Sequence, residues 1–174
     1  MHDPTRWTPW TTERRTTSKC ELYRELAAEL DGLLAGEVDF VANAANAAAA
    51  IFYALPDLNW AGFYFLRGEE LVLGPFQGRP ACVRIPVGKG VCGTAAAERR
   101  ALLVPDVEAF PGHIACDTAS RSELVVPLFE GADLLGVLDL DSPVLGRFDD
   151  VDQSGCELLA RTLERHLARA PQPP

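Results

Sequence analysis

Apolar residues recur at helical spacing in three stretches of the chain. From Leu22 to Ala35, the side chains of Tyr23, Leu26, Ala27, Leu30 and Leu34 fall on one helical stripe, and Gly36 ends it. A second helix is expected from Val38 to Leu55, with Val38, Val41, Ala45, Ala48 and Phe52 aligned. Its alanines permit close packing against a neighbour, and Pro56-Asp57 closes it. The third runs from about Asp150 to Ala168, with Cys156, Leu159, Ala160, Leu163 and Leu167 as its apolar stripe.

Between the second and third helices the pattern is that of strands. Trp60 to Leu66 is apolar and aromatic, Arg67-Gly68-Glu69-Glu70 reads as a turn, and Leu71 to Phe76 completes a hairpin. Short strands are expected at Cys82 to Pro86 and at Leu102 to Val104. Between them lie a glycine-rich turn, Gly88-Lys89-Gly90-Val91-Cys92-Gly93, and a short helix, Thr94 to Glu98. Residues 105–122 show little periodicity, and long irregular segments in compact domains are functional or disordered. Leu124 to Phe129 and Leu134 to Asp141 are strands around a turn at Glu130-Gly131. Sequential hairpins between terminal helices imply an α+β domain. Its sheet is mainly antiparallel, with the N- and C-terminal helices on one face and the other face left for a pocket. Residues 1–18 have no apolar period and read as a mobile tail, and the proline-rich end 170–174 cannot be helical. The domain itself is expected over 19–169.

A chain of 174 residues that is 48% hydrophobic is long enough for one substantial core. Its formal charge of −9 repels phosphate backbones and anionic lipids, which argues against nucleic-acid and membrane roles. No apolar run is long enough to span a bilayer, and the first residues do not read as a secretory signal, so a cytoplasmic location is expected. The five cysteines, Cys20, Cys82, Cys92, Cys116 and Cys156, are odd in number, so a structural disulfide framework is not expected. No C-x2-C pair is present, so no metal site is expected from spacing.

Cys116 lies in the irregular segment, three residues after His113. An imidazolium lowers the pKa of a nearby thiol, so this cysteine either presents a reactive sulfur or is a loop residue without a role. Cys92 sits at a helix start, where backbone amides can stabilise a thiolate; the alternative is a small residue required by tight packing. Cys82 opens a strand and reads either as a buried thiol or as a resolving partner. In Gly136-Val137-Leu138-Asp139-Leu140-Asp141-Ser142 the side chains alternate, so Asp139 and Asp141 share a face with Val137, about 7 Å apart. Aspartates are poor strand formers, which marks this pair out from an ordinary solvent-facing edge. Glu123 precedes the neighbouring strand and can reach the same face. Such carboxyls can hold an ammonium group, and one kept protonated by burial can donate a proton. Trp60 and Tyr64 share a face of the first strand, as a pocket wall or as ordinary core.

Taken in order, these pieces resemble the free methionine-(R)-sulfoxide reductases, which are stand-alone GAF-fold enzymes. The resemblance runs from about Leu22 to Leu163. It rests on Asn59-Trp60-Ala61-Gly62-Phe63-Tyr64, Gly74-Pro75-Phe76-Gln77-Gly78 with Ala81-Cys82, Gly88 to Gly93, Phe110 to Asp117, Ser122 to Pro127 and Gly136 to Ser142. It implies thioredoxin-dependent reduction of free L-methionine (R)-sulfoxide, with no bound cofactor and with NADPH supplying electrons through thioredoxin reductase. It implies Cys116 as nucleophile, Cys82 as resolving thiol, and Cys92 as a second resolving or an attacking thiol. It assigns substrate binding to Glu123, Asp139 and Asp141, Glu123 serving also in catalysis, and the methyl pocket to Trp60 and Tyr64. GAF domains commonly dimerise through their terminal helices, so a homodimer is expected. The competing readings are a non-catalytic GAF module that binds a small ligand, and a redox-sensing thiol module.

Overall fold

The computed structural model describes residues 18–112, 114 and 118–167. The expected N-terminal tail up to residue 17, the proline-rich end, His113 and Cys116 lie outside the described residues.

The chain opens with helix α1 (Lys19–Leu34), capped by Ser18, whose hydroxyl accepts from the Glu21 amide. Its buried side chains are Tyr23, Leu26, Ala27, Leu30 and Leu34, the stripe expected from periodicity. Helix α2 (Phe40–Ala54) begins later than Val38, because Asp39 turns out of the helix and accepts the Ala42 amide at 2.8 Å. The stripe expected for α2 is wrong in phase. Val38 and Val41 are 65% and 50% exposed, and Ala45 is exposed too, whereas Phe40, Ala44, Ala47, Ala48, Ile51 and Ala54 are buried. The cause is composition: a helix this rich in alanine is apolar nearly all round, so hydrophobicity alone does not set its rotation. Phe40 and Ile51 return to nearly the same angle on the helix, and these two large side chains select the buried face.

Strands β1 (Trp60–Arg67), β2 (Glu70–Gly78) and β3 (Arg84–Pro86) follow, then helix α3 (Gly90–Glu98) and strand β4 (Leu102–Val104). A single 3-10 turn at Val107–Ala109 lies within the irregular segment. Strands β5 (Ser122–Glu130) and β6 (Asp133–Ser142) and helix α4 (Asp150–Leu167) complete the fold. The six strands form one antiparallel sheet in the order β3-β2-β1-β6-β5-β4.

Period-two alternation divides the sheet residues between two cores. On one face Ala61, Phe63, Phe65, Leu124, Val126, Leu128, Leu138 and Leu140 pack under α1, α2 and α4, whose stripe Cys156, Leu159, Ala160, Leu163 and Leu167 is buried as expected. On the other, Trp60, Tyr64, Val125 and Val137 pack with Ile85 of β3 and with Val91, Ala95 and Ala96 of α3. No described helix is long and apolar enough to cross a membrane.

Candidate active site

Register builds the site on the second face. The central strand β6 places Asp141 directly opposite Trp60 of β1 on one side and Glu123 of β5 on the other. Asp139, two residues earlier, faces Gly62 and Val125, and Val137 faces Tyr64. Directly paired residues point to the same face, so three carboxyls and two aromatic rings converge without any loop bringing them there. Gly62 is needed between the rings. A Cβ there would lie 2.4 Å from the Phe76 Cβ and 2.7 Å from the Trp60 ring. Trp60 instead stacks on Phe76 at 5.2 Å and on Tyr64 at 5.9 Å between ring centroids. The Trp60 indole donates to the Arg79 carbonyl at 3.1 Å and the Tyr64 hydroxyl donates to the Cys82 carbonyl at 3.0 Å. Both rings are therefore fixed to the segment between β2 and β3.

Helix α3 supplies the thiol. It starts at Gly90, four residues earlier than Thr94, because Gly90 takes a left-handed φ of 61° that lets the chain turn directly into the helix. Cys92 thereby sits in the first helical turn rather than in a turn before it, and its side chain points at the sheet. Its Sγ donates to Glu123 Oε1 at 3.8 Å. Cys92, Glu123 and Asp139 are only 3%, 6% and 5% exposed. They share a cavity of ≈ 30 Å³ with Trp60, Tyr64 and Asp141. Ser120 also lines it and accepts a hydrogen bond from Asn59 Nδ2 at 3.0 Å. Among the described lining residues there is no lysine, arginine or histidine.

Burial controls the protonation states. Desolvation, reinforced by the charges of Asp139 and Asp141, pushes the Glu123 carboxyl well above its usual range. Desolvation raises Asp139 to about 7, although hydrogen bonds with Cys92, Glu123 and the Leu140 backbone pull it down. The Cys92 thiol is pushed up by burial and then by the Asp139 and Glu123 charges. Desolvation and the facing carboxyls thus oppose the thiolate that helix-start amides can stabilise. Tyr64 is likewise shifted up, by burial first and by Asp139 next. Asp139 Oδ1 is buried with no hydrogen-bond partner among the described residues.

The other expected site residues fall as follows. Cys82 lies just ahead of β3 rather than inside it, is half-buried, and is disulfide-bonded, whereas Cys20, Cys92 and Cys156 are free. Cys156 belongs to the helical core, as its stripe position implied. Cys116 lies outside the described residues, so its part in the site rests on the resemblance. Ser120 and Asn59 were not singled out by sequence reasoning. Asn59 adjoins the Trp60 motif, but nothing in the linear pattern joins it to Ser120.

Residues 29–170 match the family model of the GAF domain. The six-stranded antiparallel sheet with its helices matches the solved structure of a GAF domain, with a TM-score of 0.84 at 40% identity. Within that class, the chain is 52% identical over 151 residues to the free methionine-R-sulfoxide reductase of Escherichia coli (strain K12), a match covering 87% of this chain and 92% of the relative. It is 44% identical over 156 residues to the free methionine-R-sulfoxide reductase of Saccharomyces cerevisiae, covering 85% and 87%. The X-ray structure of the Neisseria meningitidis free methionine-R-sulfoxide reductase in complex with its substrate superposes with a TM-score of 0.85 at 46% identity, covering 89% of this chain and 93% of that one. The chain belongs to the free methionine-R-sulfoxide reductase family, and it is an oxidoreductase of that family.

Proposed function

We propose that this protein reduces free L-methionine (R)-sulfoxide to L-methionine with electrons from thioredoxin. The observation that carries the reading is the buried cluster of thiol and carboxyls. A Cys92 thiol stands 3.8 Å from Glu123, beside Asp139, in a cavity walled by Trp60 and Tyr64 and lacking a basic residue among those described. The names of the relatives give the same substrate.

Each part of the substrate has a matching group. A free amino acid brings an ammonium, which a pocket lined by three carboxyls is suited to receive. An arriving positive charge draws the Asp139 proton off, because an opposite charge favours the ionised form. Stacked aromatic rings suit the methyl and sulfur end. The sulfoxide oxygen leaves only once protonated, and Glu123, held neutral by burial, supplies an acid at neutral pH.

In the proposed chemistry the Cys116 thiolate attacks the sulfoxide sulfur while protons pass to the oxygen. The sulfur–oxygen bond breaks and the oxygen leaves as water. A water then adds to the Cys116 sulfur, the sulfur–sulfur bond breaks with its electrons passing to the departing methionine, and Cys116 is left as a sulfenic acid. The Cys82 thiol condenses with it, water leaves, and a disulfide forms. A thioredoxin dithiol then reduces that disulfide by exchange and is itself oxidised, with NADPH the ultimate donor through thioredoxin reductase. The disulfide-bonded state of Cys82 supports its resolving role. The burial and raised pKa of Cys92 favour an assisting or relaying part over attack. The reading includes a homodimer and a cytoplasmic location.

The test is NADPH consumption coupled through thioredoxin and its reductase, with each epimer of free methionine sulfoxide supplied separately. Turnover is expected with the (R) epimer and none with a peptide-bound sulfoxide. Binding of the (R) epimer without turnover would instead make the chain a non-catalytic GAF ligand module. Full activity in Cys116→Ser would remove the nucleophile assignment and leave the reductase standing.

A further inference from the structure

We infer that the cluster of Cys92, Glu123 and Asp139 is also a binding site for one small thiophilic divalent cation such as Zn2+. Sequence spacing argued against a metal, because no two cysteines are close along the chain. The fold overrides spacing: one ligand atom from each of the three residues lies within 4.8 Å of the others, and all three residues are buried.

The separations suit a single ion. Zinc binds thiolate at about 2.3 Å and carboxylate oxygen at about 2.0–2.2 Å, so neighbouring tetrahedral ligands stand roughly 3.5 Å apart. Cys92 Sγ and Glu123 Oε1 are already 3.8 Å apart. The three ligands come from α3, β5 and β6, and with all three ligand atoms within 4.8 Å of one another, side-chain rotations are enough to close them on an ion.

A separate observation points to a guest. Asp139 is 5% exposed, yet its Oδ1 has no hydrogen-bond partner among the described residues. A buried carboxylate oxygen without a partner is costly, and native structures rarely leave one without a bound water, ion or ligand. The cavity it shares with Cys92 and Glu123 has ≈ 30 Å³ free, more than a single bound ion needs. No basic side chain among the described lining residues competes for the site or repels a cation. One sulfur and two carboxylate oxygens suit zinc, or cobalt in its place, better than magnesium, which prefers an all-oxygen shell. The ion displaces the thiol proton to solvent, and its charge offsets the buried anions. Three protein ligands leave a fourth position open toward the rest of the pocket.

This inference does not depend on the reductase reading, and its test does not measure turnover. The full-length protein is titrated with Co2+ without reductant, so the disulfide at Cys82 stays intact and only free thiols can ligate. Expected is a thiolate-to-cobalt charge-transfer band that saturates at one ion per chain and is displaced by Zn2+. Cys92→Ser abolishes the band, and Asp139→Asn keeps it while weakening affinity at least about tenfold. Cys20→Ser, which alters an exposed cysteine away from the pocket, leaves it unchanged. Circular dichroism confirms that each variant is folded. Absence of the band in the wild-type protein, its survival in Cys92→Ser, or its loss in Cys20→Ser would overturn the assignment.

Discussion

The two faces of the sheet are built from the same strands, often from adjacent residues, yet they bury opposite chemistries. Under α1, α2 and α4, Leu138 and Leu140 of β6 meet Leu124 and Val126 of β5 and Ala61 and Phe63 of β1 in a wholly apolar layer. One residue out of phase, Asp139 and Asp141 meet Glu123, Trp60 and Tyr64 beneath α3. The first face gains free energy from removing apolar surface from water. The second removes the Glu123 and Asp139 carboxyls from water, which works against stability. A fold retains such a face when the groups are used, and the helical face supplies the stability that permits it.

Substitutions on the two faces should therefore separate activity from stability. Glu123→Gln preserves shape and neutrality but removes the transferable proton. It should lower kcat by roughly 10²–10⁴-fold in the coupled NADPH assay without destabilising the fold. A variant that unfolds in parallel with its loss of activity would show the carboxyl to be structural. Leu138→Ala, its counterpart on the helical face, empties a fully buried position. It should cost about 2–5 kcal/mol by urea unfolding, while the surviving folded fraction keeps its KM.

Gly62→Ala probes the boundary between the faces. The added methyl collides with the Phe76 backbone and Cβ and with the Trp60 ring. It should destabilise the fold by about 1–3 kcal/mol and, by tilting Trp60, raise KM more than it lowers kcat. An unchanged KM would show that the stack does not shape the substrate site.

The same buried carboxyls give stability a pH dependence. Burial raises Asp139 from 3.8 to about 7. Between those values the folded state holds a proton that the unfolded chain has released, so stability falls as pH rises. The contribution is fully present below about pH 4, is lost progressively up to about pH 7, and is flat above that. Glu123 acts in the same direction. Urea unfolding at pH 5 and pH 8 should show the wild-type protein weaker at pH 8, with the difference reduced in Asp139→Asn. An equal difference in both proteins would assign the slope to other groups.

Much of the fold was legible because local patterns were strong. The stripes of α1 and α4 carry large side chains at unambiguous spacing, and both packed as read. Helix α2 was misphased because alanine gives little contrast between its faces. The start of α3 was read late, because glycines that serve as turn residues elsewhere here take the chain straight into the helix. The alternation of Asp139 and Asp141 against Leu138 and Leu140 was visible at once, since strand geometry leaves no freedom in which residues share a face.

By itself, then, the sequence determined an α+β domain, the faces of its best-patterned elements, and the residue types from which a site would be drawn. The ordered set of motifs also placed the chain in its family. Only the tertiary structure decided which residues meet. Trp60, Asp141 and Glu123 lie along one line because β1, β6 and β5 pair in a particular register, and no linear pattern sets that register. It also decided the state of Cys92. A helix start favours a thiolate, but α3 packs this residue against two carboxyls away from water, and burial prevails. Charge state is a property of surroundings, and surroundings come from distant parts of the chain.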